Sequence, residues 1–109
     1  MKTNTIENAN EALSIVDKVC KKYIPKTKFQ LEVVEEEDET VLVLSFPTLN
    51  AAIGWDLDDD ALDETILLLE AHGVCGAVLR HEASESTDSL SKVFKRLTTN
   101  NKRRICRFN

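Results

Sequence analysis

The chain has little of what makes a fibre, a linker or a stapled miniprotein. Its 109 residues include 3 glycines, 2 prolines and 3 cysteines. So little Gly and Pro excludes a collagen-like or low-complexity chain. No apolar run approaches the roughly 20 residues that a helix needs to cross a bilayer; the longest are short stretches such as Gly73 to Leu79. The opening residues, Met1-Lys2-Thr3-Asn4-Thr5-Ile6, place no apolar segment behind the lysine, so no secretory leader is expected. Cys20, Cys75 and Cys106 are odd in number, and each sits in an apolar pattern. That fits reduced, buried thiols in a cytoplasmic protein better than a disulfide framework. With 42% hydrophobic and 30% charged residues, the composition suits one soluble domain spanning 1–109. A domain of this size can bury a core without metal or disulfide support.

The most uneven shortage is of positive charge in the middle third. Residues 32–70 contain 13 Asp and Glu and no Lys or Arg. Residues 1–31 carry six lysines against three acids, and residues 71–109 carry eight Lys or Arg against three acids. A formal charge of −5 therefore conceals a layout of +3, −13 and +5 along the chain. Such asymmetry bears on partners and long-range fields, not on fold.

Periodicity supplies the elements. Ile6, Ala9, Leu13, Val16, Cys20 and Tyr23 recur at spacings of three and four, which predicts an amphipathic helix. Asn4 with Glu7 suits its cap, Lys18, Lys21 and Lys22 suit its last turns, and Pro25 ends it. Phe29, Leu31 and Val33 alternate with polar residues, and Thr40–Phe46 is β-branched and apolar. These predict a β-hairpin with an acidic tip of four or five residues. Residues 47–57 read as a loop with a short extended piece at 51–55. A second helix is expected from Asp59 to His72, capped by Asp58 and stopped by Gly73. The run Val74–Leu79 then suits a strand covered on both faces. Leu90, Val93, Phe94 and Leu97 mark a third helix, and Arg103–Phe108 a last strand. The expected fold is α+β, a two-layer sandwich. Its order is α-β-β-α-β-α-β, with a mixed four-stranded sheet and helices packed on it.

Most chemistries lack parts. Asp56-Leu57-Asp58-Asp59-Asp60 opens like a calcium loop, but the required Gly and Glu are replaced by Ala61 and Leu67. Asp59 with Asp63, or Asp60 with Glu64, has helical spacing that a solvated acidic helix start explains without a cation. His72, Cys75, His81 and Cys106 have none of the paired spacings of a zinc site. There is no G-x-S-x-G elbow, phosphate-binding loop or dinucleotide turn. Apolar surroundings would leave the Cys75 thiol inert. The sequence thus predicts no catalysis, no cofactor and no metal.

Two binding readings remain. In the first, the acidic third steers the protein onto a larger protein partner with a basic surface, as an inhibitor, immunity or anti-defence protein would, with imitation of nucleic-acid phosphates as one form of that docking. The contact residues are Glu35, Glu36, Glu37, Asp38 and Glu39, with Asp56, Asp58, Asp59 and Asp60, and Trp55 as aromatic anchor. In the second, Lys92, Lys95, Arg96, Lys102, Arg103, Arg104 and Arg107 form a basic strip on the third helix and last strand that contacts RNA or DNA. The first helix or an uncovered sheet edge also offers a route to a homodimer. No membrane association is expected.

Overall fold

In a computed structural model, residues 8–37, 39–58, 62–83, 89–97 and 105–108 are described, with the backbone alone for 36, 95–97 and 105–108. The first apolar stripe folds as helix α1 (Ala9–Tyr23). Its cap is Asn8, whose Oδ1 accepts the Glu11 N–H at 2.9 Å; Asn4, Ile6 and Glu7, expected in its first turn, lie outside the described residues. At its far end the Ile24 N–H donates to the Cys20 carbonyl at 2.8 Å, and Pro25 follows. The helix buries Ala12, Val16, Val19 and Cys20.

The expected hairpin is strands β1 (Gln30–Glu36) and β2 (Glu39–Phe46), but its turn is tighter than predicted. Glu36 pairs with Glu39, so two residues connect the strands. Glu37 takes a left-handed φ of 34° with no Gly or Asn to ease it, a conformation that costs roughly 1–2 kcal/mol for an L-residue with a Cβ. The extended piece after Pro47 is a full strand, β3 (Ala51–Asp56). It joins β2 through the turn Pro47–Asn50, with Phe46 opposite Ala51. The Leu49 N–H donates to the Phe46 carbonyl at 3.0 Å, and Asn50 at φ 53° makes the left-handed step, which an Asn side chain tolerates.

The largest correction lies in residues 64–82. They form one helix, α2 (Glu64–Glu82), capped by Asp63, whose Oδ1 accepts the Ile66 N–H at 2.9 Å. Gly73 does not stop it, and Val74–Leu79 is not a strand. Neither described glycine of this helix has a positive φ. The helix buries Leu67, Ala71, Val74, Cys75 and Val78, which are spaced for a helix and face its packing partners. Helix α3 (Leu90–Leu97) and strand β4 (Ile105–Phe108) complete the order.

Observed order is therefore α-β-β-β-α-α-β, and every pairing is antiparallel. A three-stranded meander, β1-β2-β3, is extended by the short β4 along the free side of β3. The expected mixed sheet is overturned, because the strand that would have run parallel is the second half of α2. The class is α+β in general. Antiparallel neighbours need only turns, so no strand–helix–strand crossover is required.

All three helices serve one sheet face. That face carries Leu31 and Val33, Leu42, Leu44 and Phe46, and Ala51, Ile53 and Trp55. Helix α1 lies over β1 and β2, α3 lies over β3 and β4, and α2 packs against both helices. Phe46 and Phe94 meet with ring centroids 5.9 Å apart. Each large side chain sealed here contributes about 1.5–3 kcal/mol of transfer free energy. None of the described helices is long and apolar enough to cross a membrane.

Candidate functional site: the acidic end of the sheet

Antiparallel pairing brings two acidic segments, separate in sequence, to one end of the sheet. Val41 near the start of β2 pairs with Asp56 at the end of β3. The hairpin tip therefore sits beside the connection that leaves β3. Three hydrogen bonds fix the junction. The Leu57 N–H donates to the Thr40 carbonyl at 2.8 Å, and the Thr40 N–H donates to the Asp58 Oδ2 at 2.8 Å. The Asp58 N–H in turn donates to the Asp56 Oδ1 at 2.9 Å. An Asp accepting the N–H two residues on is a local turn device, and it bends the chain out of the strand.

Glu35, Glu37, Glu39 and Asp58 are exposed at this end. Among the described residues none of these four has an ion-pair partner. Glu36 faces Glu39 across the ladder by its backbone position. Asp38, Asp59 and Asp60 lie outside the described residues. Like charges this close repel one another, so the arrangement costs local stability and raises the negative potential over the end of the sheet.

Two of the expected contact residues are not on the surface. Trp55 is wholly buried, and its Nε1–H donates to the Glu70 Oε1 on α2 at 2.8 Å. Its position in β3 alternates with Gly54 and Asp56, which turns the indole toward the helices, so it anchors the core and not a partner. Asp56 is 4% exposed. It shapes the exit from β3 and presents no carboxylate outward. Asp58 is exposed but also committed, since it holds the first residues of β2.

The basic strip is placed only in part. Lys92 is exposed on α3, whose start is set by the Ser89 Oγ accepting the Lys92 N–H at 3.3 Å. Lys95 and Arg96 belong to the same helix, and Arg107 stands opposite Ala52 in β4. Lys102, Arg103 and Arg104 lie outside the described residues. Helix α3 lies toward the β4 edge of the sheet, while the hairpin tip belongs to the β1–β2 edge.

Two further arrangements escaped sequence reasoning. His72, expected at a helix end, lies mid-helix and exposed, edge-on to Tyr23 with centroids 4.8 Å apart. A cleft of about 520 Å³ lies between the start of α1 and β1, lined by Asn8, Ala9, Asn10, Val33 and Glu35. Among these described lining residues Glu35 is the one ionisable side chain, and it extends the acidic end toward α1. Among the described residues no three His, Cys, Asp or Glu side chains converge as metal ligands would. Compared with known proteins, the chain matches no family model, no curated protein and no solved structure.

Proposed function

We propose that this is a small, non-catalytic binding protein whose acidic end docks onto a larger partner with a basic surface, in the manner of an inhibitor or immunity protein. The observation that carries the reading is the meeting of the hairpin tip with the β3 exit, which gathers Glu35, Glu37, Glu39 and Asp58 at one end of the sheet. A coherent negative field of this kind accelerates encounter with a cationic surface and sets orientation before contact. The contact set is narrower than the sequence suggested, because Trp55 and Asp56 are withdrawn into the fold.

The test is association kinetics of the triple variant Glu35→Lys, Glu37→Lys, Glu39→Lys. Binding is measured to the protein that the wild-type chain captures, from about 50 to about 300 mM salt. Steering predicts an on-rate lowered about tenfold or more at low salt, with a flattened salt dependence. An on-rate unchanged by the substitutions and indifferent to salt refutes the reading. Salt-sensitive RNA or DNA binding that is lost on Lys92→Glu with Arg103→Glu would instead assign the function to the basic strip.

A further inference from the structure

Cys20 and Cys75 come from different helices and lie 55 residues apart in sequence, yet their sulfurs are 4.0 Å from each other. Cys20 is 0% exposed and Cys75 1%. They meet where α1 packs on α2, in a core that is otherwise almost entirely hydrocarbon. Two thiols in contact are unlike two isolated core cysteines, because each is the nearest reaction partner of the other. We propose that this pair is a reversible dithiol–disulfide site, oxidised by peroxide, that ties α1 covalently to α2.

The contact sets the order of events. The hydrogen bond with Cys20 holds the Cys75 thiol below the ordinary thiol range, against the upward push of burial. The same hydrogen bond, then burial, holds Cys20 far above that range. Cys75 is therefore the first to ionise, with Cys20 keeping its proton. The Cys75 thiolate attacks one oxygen of hydrogen peroxide. An S–O bond forms, the O–O bond breaks, and the departing hydroxide takes up the proton that Cys75 released, giving water. The Cys20 sulfur then attacks the Cys75 sulfenic sulfur. An S–S bond forms, the S–O bond breaks, and the hydroxyl leaves with the Cys20 proton as a second water. The two sulfurs together lose two electrons, which reduce one peroxide to two waters. A small-molecule thiol reverses the bond by exchange.

Peroxide suits the site because it is little larger than water and needs only local opening of the helix pair to reach it. The sulfurs must close by about 2 Å to reach disulfide length. Side-chain rotation, with a small shift of α1 over α2, supplies that movement.

The test uses the full chain carrying Cys106→Ser, so that two thiols remain. After treatment with hydrogen peroxide, the intact mass should fall by about 2 Da and both thiols should disappear from a denaturing thiol titration, with the chain still monomeric. The melting temperature should rise by about 10 °C and return on reduction, because the bond closes a long loop. With Cys20→Ala added, Cys75 should halt at the sulfenic acid and be trapped by dimedone. Two thiols still titrating after oxidation would overturn the proposal. So would cross-links between chains, or dimedone trapping that is equal with and without Cys20.

Discussion

Glu70 is the acceptor for a buried indole, and its removal can be followed closely. Trp55 is sealed from solvent, and its Nε1–H has the Glu70 carboxylate at 2.8 Å. Glu70→Leu keeps side-chain bulk but takes the acceptor away from that buried N–H. An unsatisfied buried donor costs about 1–3 kcal/mol. Taking about 2 kcal/mol, the melting temperature should fall by roughly 10 °C for a domain of this size. Glu70→Gln restores a neutral acceptor and should recover more than half of the loss. Trp55→Phe removes the donor, so Glu70→Leu should cost far less in that background, with a coupling of about 1–2 kcal/mol across the double-mutant cycle. Urea melts followed by far-ultraviolet circular dichroism measure the wild type and all four variants on one footing. Trp55 is the one tryptophan of the sequence, so emission of the wild type and the Glu70 variants reports the indole's surroundings directly. A Glu70→Leu protein within about 0.5 kcal/mol of wild type, or a coupling near zero, would refute the reasoning.

Two other substitutions test how α2 is built. Gly76→Ala should stabilise the protein by about 0.5–1 kcal/mol, since alanine is the better helix former. The added Cβ would meet the Arg80 Nη1 at 3.4 Å, the mobile end of a side chain; an urea midpoint lowered by this change would show that the helix pair has no room there. Asp63→Ala removes the acceptor for the Ile66 N–H and should cost about 1 kcal/mol in thermal melts, whereas no loss would mean the helix begins elsewhere.

The sequence made some elements legible and disguised others, and the reasons are physical. Alternation in Phe29–Val33 marked β1 because that strand keeps one wet face. The stripe of α1 was legible for the same reason, though the described helix begins at Ala9 with Asn8 as its cap. Residues 74–79 misled because a continuous apolar run fits a buried strand and a buried helix alike. The deciding signal lay on both sides of Gly73: Leu67, Ala71, Val74, Cys75 and Val78 hold one helical register across it. Strand β3 was legible only as a short extended piece at 51–55, because Ala51–Asp56 is small or apolar throughout, without a polar alternate until its last residue. The acidic segments were plain in the composition. Their meeting was not, since it depends on β3 pairing with β2, which the expected loop with a short extended piece did not include. Trp55 looked like an interface anchor because nothing in the chain advertises an acceptor 15 residues away on α2.

The meander also sets an order of assembly. Strands β1 to β3 meet their partners through turns of two and four residues, and such closures are fast and lose little entropy. The α1–α2 contact must bring together positions 55 apart. A nascent sheet can thus precede its helical cover, with Leu42, Leu44, Phe46 and Ile53 bare to water and ready to stick to another chain. The glutamates at the strand ends place like charge on every such unfinished molecule, and like charge opposes that sticking.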